Sequence, residues 1–257
     1  MSFYEKKFTH LEVKKEDNFL WLTFNLPEKR NAITLSMVES LVTVLNEADW
    51  DPEIKVIILT GQGSAFCAGG DIKAMKEKSG MFAGSSEELR QIYMNGIQRI
   101  PRSIESLQTP IIAMVNGPAI GAGLDIACMC DLRVASSKAL FGETFAKIGL
   151  VPGDGGTFFL PRVVGYAKAM EMSLTARVYT AIEALEMGLL SSLTSESELE
   201  AVTRELAEKI AENSFTALTM IKKGLRGARD LDTQLDLMAA FQGITQRTQD
   251  HFDRLDK

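Results

Sequence analysis

The sequence predicts an α/β fold with a helical C-terminal region. Two short apolar runs, 54–60 and 111–115, are each followed by a glycine-rich loop, the pattern of strands buried on both faces. Residues 11–26 alternate apolar and polar positions, and beyond about residue 157 the periodicity becomes helical.

In chain order, 11–26 reads as an antiparallel hairpin turning at Asp17-Asn18, with Phe19-Leu20-Trp21-Leu22-Thr23-Phe24 as its second arm. Ser36 and Glu39 fit a capping box ahead of Val38, Leu41, Val42 and Leu45, so an amphipathic helix is expected there. The strand at 54–60 then runs into the turn residues Gly61-Gln62-Gly63-Ser64. A second round repeats the outline, with a helix within 87–107, a strand at 111–115 and a glycine-rich loop at 116–123. The apolar run 124–130 is expected to be a buried helix, followed by short strands at 132–135 and 139–141 and a further glycine-rich loop at 149–156. Ser195 and Glu198 fit another capping box, and 231–255 reads as helix. The expected organisation is a core over 1–199 and a helical region over 200–257.

Composition narrows the function classes. In 257 residues, 46% hydrophobic and 24% charged, there is material for a large core and no sign of extended disorder. With 28 basic and 34 acidic side chains the net charge is -6, which argues against a broad nucleic-acid surface and requires any anionic ligand to be met locally. Cys67, Cys128 and Cys130 are odd in number and lack metal-ligand spacing, so reduced packing thiols and no metal site are expected. The first ten residues carry Glu5, Lys6 and Lys7 without an apolar run, and no stretch has the length of a membrane span, so the expected location is the cytoplasm.

The chemistry concentrates in two loops, Ser64-Ala65-Phe66-Cys67-Ala68-Gly69-Gly70-Asp71-Ile72 and Asn116-Gly117-Pro118-Ala119-Ile120-Gly121-Ala122-Gly123-Leu124-Asp125. Small residues let a ligand approach the main chain, and amides from two loops near helix starts can converge on one developing oxyanion. Asp71 also fits a helix cap. A dinucleotide site would place its third glycine at Phe66, and a serine hydrolase lacks both the GxSxG elbow and a motif histidine, since His10 and His251 stand outside every motif.

These loops resemble the two oxyanion motifs of the crotonase, or enoyl-CoA hydratase/isomerase, superfamily. Further matching segments are Asn25-Leu26-Pro27-Glu28-Lys29-Arg30-Asn31-Ala32, Cys130-Asp131-Leu132-Arg133 and Gly149-Leu150-Val151-Pro152-Gly153-Asp154-Gly155-Gly156-Thr157. The resemblance spans nearly the whole chain. It implies a crotonase fold, a spiral of ββα units with a C-terminal trimerisation region, and an acyl-CoA thioester substrate with no separate cofactor. It also implies a homotrimer or a dimer of trimers; from the charge and the lack of a long apolar stretch, no nucleic-acid or membrane partner is expected. The amides of Ala68 and Ala122 are expected to hold the thioester oxygen, with Gly69, Gly70, Asp71, Ile72 and Gly121 around the substrate. Lys29 and Arg30 fall where this family meets CoA phosphates or adenine.

For proton transfer the resemblance places Asp125 at the first catalytic glutamate of hydratases and Asp154 at the catalytic aspartate of dienoyl-CoA isomerases, also the nucleophile of aromatic acyl-CoA dehalogenases. Asp154 equally fits a turn aspartate before a helix at Thr157. The second hydratase glutamate falls at Phe145, which cannot hold or protonate water, so isomerisation is favoured over hydration. Glu143 lies two positions away, a displacement of roughly 6 to 7 Å along an extended chain, and is not a simple replacement. Met75, Met81, Phe82 and Tyr93 are candidate pocket walls. The rival class is a non-catalytic acyl-CoA-binding or scaffold protein.

Overall fold

A computed structural model describes residues 3–227, 231–246 and 248–255. The chain opens with β1 (Leu11–Glu16) and β2 (Phe19–Phe24), then α1 (Leu35–Ala48), β3 (Val56–Gly61), α2 (Ile72–Glu77), α3 (Ser86–Asn95), α4 (Arg99–Ser106) and β4 (Ile111–Val115). There follow β5 (Ala119–Ile120), α5 (Ala122–Met129), β6 (Leu132–Ser136), β7 (Leu140–Gly142), α6 (Gly156–Val164) and α7 (Tyr166–Thr175). The remainder is β8 (Val178–Thr180), α8 (Ala181–Glu186), β9 (Ser192–Thr194), α9 (Leu199–Ala211), α10 (Phe215–Gly227), α11 (Leu231–Thr245) and α12 (Gln249–Leu255).

The expected hairpin is present: β1 pairs antiparallel with β2 in the register Glu16 to Phe19, and Asp17 takes a φ of 51°, as a two-residue hairpin turn requires at its first central position. From β2 onward the six-stranded sheet β1-β2-β3-β4-β6-β9 is parallel. Period-two alternation sends Leu20, Leu22, Ile57, Leu59, Ile111 and Ala113 to the face covered by α1, α4 and α5. The intervening Phe19, Trp21, Val56, Ile58, Ile112 and Met114 go to the opposite face, under Leu199 and Ala207 of α9. Both faces are covered, which is why β3 and β4 are apolar at nearly every position. A second sheet, β5-β7-β8, stands beside the first and fixes the loop that precedes α5.

Several boundaries differ from the sequence expectation. The cap of α1 is Thr34, whose hydroxyl accepts from the Met37 amide at 3.1 Å, not Ser36; Glu39 instead pairs with Arg99. Ser36 and Thr34 both lie within hydrogen-bond distance of the His10 ring, so this histidine organises the start of α1. At 87–107 there are two helices, because the chain breaks at Gly96, where a side chain would collide with the Ile92 carbonyl. Ser195 precedes a single 3-10 turn and makes no capping bond to the backbone, since its hydroxyl donates to Glu198 at 2.6 Å. Full capping boxes form at Ser85 with Glu88 and at Thr180 with Glu183. The stretch 231–255 is two helices, and residue 247 between them lies outside the described residues.

The helix α10 is pinned to the core by charge. Lys222 Nζ reaches Asp131 Oδ2 and the Thr109 carbonyl, each at 2.7 Å, and Arg226 donates to Asp131 Oδ1 at 2.9 Å.

Candidate active site

The two glycine-rich loops lie side by side. Cys67 forms a parallel bridge with Ala119: its amide donates to the Pro118 carbonyl at 3.2 Å, and its carbonyl accepts from Ile120 at 3.0 Å. Gly123 is required at this contact, because a Cβ there would collide with the Cys67 carbonyl oxygen. Gly121 takes a φ of 54° as it turns the chain into α5. The first loop is held from beneath by Asn31, a buried side chain that donates to the carbonyls of Gln62 at 3.0 Å and Ala65 at 2.9 Å and accepts from the Leu26 amide at 2.9 Å. The sequence motif included Asn31 without indicating this role.

The free amides are not both the expected ones. Ala68 donates to the Arg30 carbonyl at 2.9 Å, so its hydrogen is already committed within the fold. Gly70 and Ala122 donate to no protein acceptor among the described residues, and both line one cavity. Ala122 is free for a local reason: as the first residue of α5 it has no acceptor one turn earlier. The amide pair on the cavity is therefore Gly70 with Ala122, a correction to the expectation for Ala68.

The cavity has a volume of about 250 Å³ and is mostly apolar. Met75, Met81, Phe82, Tyr93 and Ile97 form one wall, as expected for the first two methionines, Phe82 and Tyr93, and Phe145, Ile148 and Leu150 form another. It continues through Gly70 and Ile72 into an open groove bordered by Lys29, Arg30, Asp71 and Lys73. Arg30 is exposed in this groove, whereas Lys29 is paired with Asp71 at 2.8 Å. Asp71 also caps α2, accepting from Lys73 at 3.0 Å and Ala74 at 3.1 Å, and the Lys29 bond first, then these amides, hold its carboxyl below the usual range.

Behind the cavity is a cluster of three acids. Asp125, Glu143 and Asp154 are 0%, 1% and 3% exposed, and among the described residues none of their six carboxylate oxygens has a conventional donor. They meet one another instead, with Asp125 within hydrogen-bonding reach of both others, a contact that two carboxyl groups make only by sharing a proton. Burial pushes Asp125 well above the carboxylate range, and the charges of Asp154 and Glu143 push it further. Burial raises Glu143 to about 7 and raises Asp154 as well, in each case partly offset by the hydrogen bond with Asp125. Only Asp154 lines the cavity.

Each acid has a reason for its position. Asp125 lies on the first turns of α5, against Gly156, where any side chain would overlap its carboxylate. Asp154 does not cap α6: Gly155 takes that position and no side chain bonds there. Glu143 departs from the sequence expectation of an extended chain, since β7 ends at Gly142 and a 3-10 turn begins at Phe145. That bend sends Glu143 inward to Asp125 while Phe145 faces the cavity. Cys67, Cys128 and Cys130 are free, buried and pushed by burial to about 12, which leaves them as unreactive thiols.

Paired backbone amides over an apolar cavity, on a mainly parallel sheet covered by helices on both faces, define a crotonase-type α/β enzyme. Residues 14–255 match the family model described as enoyl-CoA hydratase/isomerase. The chain is 36% identical over 246 residues to the short-chain-enoyl-CoA hydratase of Clostridium acetobutylicum, covering 95% of this chain and 92% of the relative. Among solved structures it resembles an enoyl-CoA hydratase from Bacillus anthracis, with a TM-score of 0.90, 30% identity and coverage of 96% and 95% of the two chains. DspI of Pseudomonas aeruginosa is similar with a TM-score of 0.90 at 28% identity over 99% of this chain and 96% of that one. The protein belongs to the enoyl-CoA hydratase/isomerase family. Among the described residues no helix is long and apolar enough to cross a membrane.

Proposed function

We propose that the protein isomerises the double bond of an enoyl-CoA thioester. The observation that carries this reading is that among the described residues a single carboxyl group, Asp154, faces the cavity, while Phe145 presents a ring where a second acid is needed to hold water. The thioester carbonyl oxygen accepts from the amides of Gly70 and Ala122, and the acyl chain lies against Met75, Met81, Phe82 and Tyr93. Asp154 removes a proton from C2 of a 3-enoyl thioester. The electron pair spreads onto the thioester oxygen and C4, and Asp154 returns the proton at C4, leaving the double bond between C2 and C3. Amides aimed at the developing oxyanion stabilise the enolate more than the ground state, and one such donor contributes about 3 kcal/mol.

The groove at Lys29 and Arg30 suits the phosphates of CoA, with Arg30 the unpaired cation of the two. CoA enters as part of the substrate, and no other cofactor is assigned. The exposed apolar side chains of Tyr166, Leu174 and Ile182 on α7 and α8 support assembly into a trimer or a dimer of trimers; the cytoplasm is the proposed location.

The test is incubation with 2-enoyl-, 3-enoyl- and 3,5-dienoyl-CoA thioesters, followed by chromatography and mass spectrometry. An unchanged mass with a displaced double bond supports the proposal. A product heavier by one water makes the protein a hydratase, and thioester binding without conversion makes it a binding protein.

A further inference from the structure

The three buried acids are arranged in depth. Asp154 borders the cavity; Asp125 lies behind it and reaches both neighbours; Glu143 contacts Asp125 and does not line the cavity. No lysine, arginine or histidine among the described residues bonds to any of the three. The titratable groups facing Glu143 are Asp125 and Cys128 from α5 and Asp154 from the loop before α6; Tyr93 and Cys67 in turn face Asp154. All of these are acids, so in a region this buried the three carboxyl groups cannot all be ionised and must share protons.

A protonated Asp125 has one hydrogen to donate, and it has two claimants. We propose that Glu143 is a positioning residue that controls the direction of the Asp125 hydroxyl and so sets how strong a base Asp154 is. With Glu143 protonated, Asp125 donates to the Asp154 carboxylate and weakens it as a base. Once Glu143 ionises, the Asp125 hydrogen turns to it, and Asp154 loses that bond and gains proton affinity. The substrate proton then passes to Asp154 and back to carbon as described above, and the proton count of the cluster is restored after each turnover. This role rests on the reading of Asp154 as the group that moves the substrate proton.

Two measurements on the full-length protein test it. The first is the pH dependence of kcat/KM with a 3-enoyl-CoA in wild type and Glu143→Gln. The wild type is expected to show a rising limb near pH 7, and the variant a limb displaced downward by about one pH unit, a tenfold change in proton concentration. A merely structural role would lower the rate without moving the limb. The second is titration of the side-chain carboxyl carbons by 13C NMR, which needs no turnover. A glutamate signal titrating near pH 7 in the wild type, absent from the variant and accompanied by a downward displacement of two aspartate signals, supports the proposal. If no wild-type glutamate titrates above the ordinary range, or the aspartate signals and the kinetic limb stay in place, the proposal is overturned. Absence of turnover on every enoyl-CoA overturns the isomerase reading instead, and the wild-type carboxyl titration still decides whether Glu143 shares the proton.

Discussion

Replacing Glu143 with glutamine should make the protein more stable at pH 8 and less stable by about 1 kcal/mol at pH 4. Burial raises the Glu143 carboxyl from its ordinary 4.5 to about 7. A carboxyl group with a raised folded pKa binds its proton more tightly in the native state, so folding stability is fully present below the unfolded value and declines as pH rises through the folded one. The loss therefore accumulates between about pH 4.5 and 7. At 1.36 kcal/mol per pH unit it amounts to about 3 kcal/mol. Solvent screening does not reduce this much, because the side chain is only 1% exposed. Glutamine removes the ionisation and can donate its amide to Asp125, at the cost of about 1 kcal/mol if the bond is imperfect. The expected net gain at pH 8 is about 2 kcal/mol. Urea unfolding followed by fluorescence of Trp21 and Trp50, at pH 4, 6 and 8, measures it directly. A stability difference between variant and wild type that is the same at all three values would refute the argument, since only an ionisation inside the folded core makes it depend on pH.

Other outcomes follow from the same geometry. Asp154→Asn should lower kcat by about 10²- to 10⁴-fold while KM changes little, as steady-state kinetics on the best enoyl-CoA will show. Phe145→Glu puts a carboxyl group on the cavity wall, and mass spectrometry should then detect a product heavier by one water that the wild type does not form. Gly123→Ala forces a methyl against the Cys67 carbonyl and should cost about 1 to 3 kcal/mol in thermal unfolding. Asn31→Ala strands the Leu26 amide and the Ala65 carbonyl and should cost at least about 2 kcal/mol, with reduced turnover because the first loop loses its support.

The sequence by itself determined what depends on local pattern. Alternation around Asp17-Asn18 defined the first hairpin, and the apolar runs defined β3 and β4, since a strand covered on both faces carries few polar side chains. The glycine-rich loops, Asp125, Asp154 and the departure at Phe145 were legible because each lies inside a contiguous motif. Tertiary structure decided what depends on distant partners. The sequence motif places the first donor at Ala68, and the choice of Gly70 instead rests on the Arg30 carbonyl, which approaches from another part of the chain and takes the Ala68 amide. The cap of α1 went to Thr34 over Ser36 because chain geometry, not residue type, selects which hydroxyl meets the Met37 amide. Glu143 reads as a polar residue after a short strand, and only the end of β7 at Gly142 turns it toward Asp125. A free amide and a raised carboxyl pKa are both consequences of what surrounds a group in three dimensions, and a linear sequence does not contain the surroundings.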